Sequence, residues 1–245
     1  MSETMNLDDY LAQGGVLTSP GNVPPRYRGE LLRLMSSFVD SELAASAGFA
    51  DAINFAPGIR ERISASRITL EKADHAERVL AVMADFGTDS RRYQQSHDWA
   101  ARLPRDTQIS AARREGDMRL SVLHFPITGW ADAVVMNVLQ GLATEVQMTE
   151  LTRVSYAPLA EVFREIAPRE ARHTALGLEG LAQLEAAEAR DSLAYWRPRV
   201  AAGFGPAGSA RFETLRRFGL RHQPNEVLLA HWEALVDGHL AGLGL

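Results

Sequence analysis

The sequence of 245 residues contains no cysteine, so disulfide bonds and thiolate metal sites are excluded. It has no apolar run of the length that crosses a membrane, and no run of lysine and arginine that would bind nucleic acid or anionic lipid. Its first residues are polar and acidic and lack the apolar segment of a signal peptide. We therefore predict a cytoplasmic protein with neither a nucleic-acid nor a membrane partner.

A strand pattern is also missing. No segment of useful length alternates between apolar and polar residues, whereas apolar residues recur every three or four positions in four long segments, as in amphipathic helices. With 46% hydrophobic residues and a net charge of −5, the chain is long enough to bury one large core. We predict an irregular N-terminal arm over residues 1–24 and one all-α domain over residues 25–245.

Proline and glycine set the boundaries of the predicted helices. The four long helices are predicted over about 25–54, from Pro57 to Phe86, from Trp130 to about Val154, and from Pro158 to about 189. Short surface helices are expected between residues 89 and 118, and two shorter helices are expected over Asp191–Val200 and Glu226–Leu240.

Each of the four long helices carries a polar group within its apolar stripe. In chain order these groups are Glu42, then Lys72 with His75, then Glu145, then Glu170 with His173. A carboxylate among apolar side chains is costly unless its charge is compensated, and a metal ion is one compensating group. Glu170 and His173 are three residues apart, on one helix face, which is how bundle helices supply ligands to paired metal ions.

The second helix departs from that arrangement, because Lys72 stands three residues before His75, where a second glutamate would complete the pattern. Neighbouring Glu71 and Asp74 are expected to point off the core-facing stripe, since each residue turns a helix by about 100°. Three carboxylates and one lysine sum to −2. That charge suits one divalent ion, or none if the lysine pairs with two carboxylates. Oxygen ligands with imidazole suit iron, manganese or zinc.

Nine short segments have a further significance when they are taken together. They are Ser41-Glu42, Ala73-Asp74-His75, Gly129-Trp130-Ala131-Asp132, Ser155-Tyr156-Ala157-Pro158, Glu170-Ala171-Arg172-His173, Tyr195-Trp196-Arg197-Pro198, Phe204-Gly205-Pro206, Ser209-Ala210-Arg211 and Arg217-Phe218. Between residue 24 and about residue 240 the sequence resembles the phenylacetyl-CoA epoxidase proteins, and most closely their catalytic subunit.

This resemblance implies a ferritin-like four-helix bundle with additional C-terminal helices. It also implies a carboxylate-bridged iron centre of one or two ions, with manganese as an alternative metal, and dioxygen as the oxidant. The implied substrate is an aromatic acyl-CoA thioester. The implied partners are a sister ferritin-like subunit and a flavin/iron–sulfur reductase, so a homo- or hetero-oligomer is expected.

Four residues fall on the metal-ligand positions of that family: Glu42, His75, Glu170 and His173. Two positions depart from it. Lys72 replaces the bridging glutamate of the second helix, and Gly141 stands where the third helix carries a carboxylate. Glu145 lies one turn beyond Gly141 and is predicted to assist in its place. We favour Lys72 as a charge substitute for a metal ion. The alternatives are a reactive lysine with a depressed pKa beside a metal ion and a chain that reaches solvent.

Three functions remain open from the sequence. In the first, the protein is an oxygenase component that uses Lys72 and Glu145 beside the metal ligands. In the second, it is a catalytically silent structural subunit or scaffold without a metal, because Lys72 replaces the ion. In the third, it is a single-metal enzyme with a different reaction. The pairs Arg91-Arg92 and Arg113-Arg114 are candidate contacts for CoA phosphates, although solvated surfaces are the safer interpretation.

Overall fold

The computed structural model describes residues 7–109 and 116–245. Within these ranges the protein has nine α-helices, α1 to α9, and its one β-type contact is an isolated bridge between Leu17 and Tyr156. The helices are α1 Leu7–Ala12, α2 Pro25–Ala52, α3 Ile59–Ala84, α4 Ser90–Gln94, α5 Trp130–Leu151, α6 Ala157–Leu181, α7 Ala186–Ala201, α8 Ala210–Arg217 and α9 Asn225–Leu243. No helix in the described part of the chain is long and apolar enough to span a membrane.

The predicted all-α, ferritin-like bundle is confirmed. The long helices form two pairs, because α2 packs along α3 and α5 packs along α6, and contacts between α3 and α6 join the pairs. The C-terminal helices α7 and α9 pack on α5. Pro25 stands at the start of α2, where its missing N–H costs nothing, and Gly87 turns the chain after α3 with a φ of 88°.

Some predicted boundaries need correction. The segment predicted as an irregular arm includes the short helix α1 and pairs with the start of α6 through Leu17. Of the short helices expected between residues 89 and 118, only α4 is present in the described part of that segment. Helix α8 was not predicted, because its eight residues contain few apolar side chains and none is buried.

Two hydrophobic cores lie one above the other in the bundle. One core combines residues of α5, α7 and α9, including Leu139, Trp196 and Trp232, with the C-terminal end of α2. The other combines the first part of α2 with the last part of α3 and the first part of α6, and includes Leu31 and Phe163. Buried residues 42, 72, 75, 170 and 173 fall between the two cores along α2, α3 and α6.

Asp132 fixes the start of α5 against the neighbouring elements. Its buried carboxylate accepts hydrogen bonds from Thr128 in the preceding loop, from Ser192 and Trp196 on α7, and from the Arg105 guanidinium. Burial alone would raise the pKa of Asp132, but these donors outweigh it and lower the pKa to about 2. The carboxylate therefore stabilises the fold in its charged form.

We expect Asp132→Asn to destabilise the protein by about 2 kcal/mol at neutral pH, since one pKa unit corresponds to about 1.4 kcal/mol. Because the pKa is depressed in the folded state, this stabilisation is present above pH ~4 and is lost as the pH falls towards 2. Urea unfolding at pH 7 and pH 3 measures both effects. Asp237→Asn, in the exposed ion pair with Arg197, is the matched control and should change stability by less than about 0.5 kcal/mol. An equal loss for Asp132→Asn at both pH values would contradict the charge explanation.

Candidate functional site

Three of the four long helices contribute to one buried polar layer. Glu42 comes from α2, Lys72 and His75 from α3, and Glu170 and His173 from α6, and all five are buried. Helical spacing therefore predicted correctly that these five residues lie on the core-facing sides of their helices. A layer of charge between two apolar cores has little water to solvate it, so its groups must compensate one another.

Lys72 lies at the centre of this layer and is the only lysine in the sequence. Its Nζ atom is 2.7 Å from Glu170 Oε2 and 3.1 Å from Glu42 Oε1, and the residue is only 5% exposed. Burial alone would lower the pKa of Lys72, but the charges of Glu170 and Glu42 outweigh it and raise the pKa. The side chain is thus a buried ammonium group. The alternative of a chain reaching solvent is wrong, whereas the alternative of a reactive lysine with a depressed pKa beside a metal ion stays a prediction.

His75 lies beside the same two carboxylates. Its Nδ1 atom is hydrogen-bonded to Glu42 Oε2 at 3.1 Å and lies 2.8 Å from Glu170 Oε1, though without hydrogen-bond geometry towards the latter. Burial lowers the pKa of His75, but the two neighbouring carboxylates, Glu170 and Glu42, outweigh it and raise the pKa. The pKa of Glu170 is in turn held well below its usual value, because Lys72 and the histidines outweigh the effect of burial.

Glu71 is the residue of this site that the sequence reasoning missed. Its Oε2 atom lies 2.7 Å from Nε2 of His173, so the expectation that Glu71 points away from the site is wrong. The side chain is 20% exposed and reaches His173 from the rim of the layer. His173 stacks on His75 with ring centroids 5.9 Å apart, and its Nδ1 atom is 3.7 Å from Glu170 Oε1. A glutamate side chain one position off the core-facing stripe is long enough to reach a neighbouring helix. The prediction from helical spacing took no account of this side-chain length.

Comparison with known proteins places the chain in a family. The family model described as phenylacetic acid catabolic protein matches residues 17–245, which is nearly the whole chain. The chain belongs to this family. A search of curated proteins found no match. The predicted membership of the phenylacetic acid catabolic protein family is thus confirmed, while the predicted closeness to its catalytic subunit stays a prediction.

The donor set can be tested against the metal centre implied for the phenylacetic acid catabolic protein family. Ligand atoms of Glu42, His75 and Glu170 lie within 4.8 Å of one another, so this buried group could hold one metal ion. A two-metal centre needs about four carboxylates, and among the described residues only Glu42 and Glu170 contribute carboxylates to the clustered ligand group. Lys72 Nζ bonds to both of them. The described residues therefore do not fit a di-iron centre, and an ion bound to the two oxygen atoms that Lys72 holds would have to displace the ammonium group.

Close packing at Gly141 leaves no space for a carboxylate side chain on α5, the third of the long helices. At Gly141, where the family pattern has an acid, an added Cβ would lie 2.5 Å from Thr174 Oγ1 and 3.3 Å from Thr174 Cα. Real Cβ atoms do not approach other atoms so closely, so α5 and α6 touch at this point only because residue 141 is glycine. An acid could enter position 141 only if α6 moved or Thr174 were replaced.

The remaining predicted site residues lie elsewhere. Glu145 is half-buried on α5, and no hydrogen bond or ion pair of the described residues joins it to the layer. Its assisting role stays a prediction. Arg91 and Arg92 are exposed on α4. The pair Arg113-Arg114 lies outside the described residues.

We expect Gly141→Ala to destabilise the protein by about 1–3 kcal/mol, because the new methyl group overlaps Thr174. Thr174→Ala removes the nearest atom, so the double variant should be more stable than the sum of the single changes by at least about 1 kcal/mol. Urea unfolding of the four proteins measures this coupling. Gly238→Ala, on the open side of α9 with nothing near its Cβ, is the control and should stabilise by up to about 1 kcal/mol. Additive effects of the two changes would show that the packing at Gly141 is relaxed.

Proposed function

We propose that this protein is a redox-silent member of the phenylacetic acid catabolic protein family, in which the ammonium group of Lys72 replaces the metal. The observation that carries the proposal is the position of Lys72 Nζ, within hydrogen-bond distance of both central carboxylates. A lysine at this position supplies positive charge but has no redox chemistry and no open coordination site.

Electrostatics favours the lysine over an ion. Two like charges a few ångströms apart repel strongly in a buried layer, so the ammonium group lowers the affinity of these carboxylates for a divalent ion. Lys72 is covalently part of the protein and its pKa is raised, so the cation is present at every physiological pH. An ion would have to push a charged chain into the adjoining apolar cores, which is costly.

Each acid of the layer also has a basic group beside it without an ion. Lys72 bonds to the two central acids, Glu42 and Glu170, and His173 lies against Glu71. With neutral imidazoles, these three acids and one lysine sum to −2, the value expected from the sequence, except that Glu71 stands in the place of Glu145. The pairing supports the proposal, because each of these three acids has a basic neighbour within the chain.

The role that fits such a site is that of a structural or ligand-binding subunit. The implied oxygen chemistry and the reductase would then belong to a sister subunit, with which this chain assembles. The sister subunit, the oligomer, the acyl-CoA substrate and the alternative oxygenase activity all stay predictions. What supports the silent subunit over the oxygenase is the combination of Lys72 in the centre and Gly141 packed against Thr174.

We expect the protein purified without chelators to contain far less than one iron or manganese per chain, and its melting temperature to be unaffected by chelators. Lys72→Ala leaves Glu42 and Glu170 uncompensated, at a cost of about 3–5 kcal/mol. It also leaves room for an ion, so Co²⁺ or Zn²⁺ should bind near one per chain and raise the melting temperature. Metal analysis, cobalt absorption and thermal unfolding report the result without any activity assay.

Lys72→Met is the matched control. Methionine removes the same charge but fills the space, so this variant should be destabilised without taking up the ion. Near-stoichiometric iron or manganese in the unaltered protein would end the proposal. So would equal metal uptake by the unaltered protein and Lys72→Ala.

Chemical labelling tests the state of Lys72 directly, because the chain has no other lysine. We expect acetylation by an amine-reactive ester at pH 8 to be at least roughly tenfold slower in the folded protein than in urea, since the amine is only 5% exposed and is held as an ammonium group by two carboxylates. Mass spectrometry of the peptide around residue 72 measures the rate. Fast labelling of the folded protein would identify an accessible, neutral amine and contradict the buried ammonium.

A further inference from the structure

The outer side of α3 carries large apolar side chains that the described part of the chain leaves exposed. The three most exposed large hydrophobic side chains of the described residues are Ile59 at 79%, Leu70 at 69% and Ile63 at 53%. They are four and seven residues apart, so they lie on one side of the helix, opposite the side that carries Lys72. A contiguous exposed apolar surface of this kind is typical of an interaction site.

These side chains belong to a surface that runs along almost the whole of α3. Eight exposed residues at steps of three or four form this α3 surface: Ile59, Ile63, Ser66, Leu70, Ala73, Glu77, Ala81 and Ala84. At 1.5 Å per residue the surface is about 37 Å long. The large apolar side chains all lie in its first half, and the three alanines all lie in its second half.

The charges on and beside the α3 surface are divided between the same two halves. Arg60, Arg62 and Arg67 accompany the first half, whereas Glu77 and Asp85 accompany the second. All five are exposed, and within the described part of the chain none of their side chains has a hydrogen bond or an ion pair. The helix dipole disfavours arginine at the start of α3 and aspartate at its end, so the stability of α3 alone does not account for these charges.

We propose that the α3 surface is the interface of a homodimer, in which the α3 helices of two copies of this chain pack antiparallel about a two-fold axis. The axis passes midway along the surface, between residues 71 and 72. Ile59 then faces the partner's Ala84, and Leu70 faces the partner's Ala73. A large side chain therefore meets a small one along the contact, which allows the two helices to approach closely.

Charge complementarity selects a second copy, in this direction, as the occupant of the α3 surface. The antiparallel register brings Arg67 near the partner's Glu77 and Arg60 near the partner's Asp85, so exposed charges of opposite sign meet. A parallel pair would place arginine against arginine and acid against acid. Because a two-fold interface uses the same surface of both chains, each favourable contact occurs twice. This dimer does not depend on whether Lys72 replaces a metal, because Lys72 lies on the opposite side of α3.

Sedimentation equilibrium of the unaltered protein between about 1 and 200 µM tests the dimer, since an interface of this size is expected to dissociate in the micromolar range. We expect Ile63→Glu to weaken dimerisation at least roughly tenfold, because it would bury two carboxylates at the contact. Val227→Glu, at a side chain of similar exposure on α9, is the matched control and should change nothing. A monomer throughout this range, or a dimer that Ile63→Glu leaves intact, overturns the proposal.

Exchange of charges tests the direction of the pairing. Arg67→Glu and Glu77→Arg should each weaken the dimer at least roughly threefold, because each places like charges together twice per dimer. The double variant should restore the dimer. Residues 67 and 77 are about 15 Å apart along α3, so they cannot pair within one chain. A double variant weakened by the sum of both changes contradicts the antiparallel register.

Cross-linking measures the register, because the chain has no cysteine of its own. Leu70→Cys should link to its own copy rapidly with a short bismaleimide, since residue 70 lies near the two-fold axis. Ile59→Cys should not, since antiparallel helices place the two copies of residue 59 about 37 Å apart. Equal linking by both variants identifies a parallel pair, and no linking of Leu70→Cys excludes an axis at residues 71 and 72. Either result overturns the proposal.

Discussion

The arrangement of this protein depends on one buried ammonium group between two buried carboxylates. Lys72 on α3 reaches Glu42 on α2 and Glu170 on α6, so a single side chain joins three of the four long helices. A buried ion pair of this kind adds little net stability, because desolvation offsets most of the attraction. Its effect is on specificity, because a packing of the helices that separated the lysine from both acids would leave buried charges without partners.

The layer also explains why the bundle has two hydrophobic cores. Apolar residues of α2, α3 and α6 belong to one cluster on one side of the polar layer and to another on the other side. Removing an ion from such a layer would leave like charges facing one another. A lysine avoids this, since it brings its charge with the chain and needs no ligand binding to fold.

Helical spacing predicted the bundle, the long helices and five of the buried polar residues, because burial on a helix follows a period of about 3.6 residues. It did not predict the contact of Glu71 with His173, which depends on side-chain length and on the distance between α3 and α6. Nor did it predict the close packing of Gly141 against Thr174, which depends on how two helices cross. Nor could the sequence predict the cavity of about 400 Å³ beside the polar layer, because its lining side chains come from segments as distant as Arg33 and Arg221.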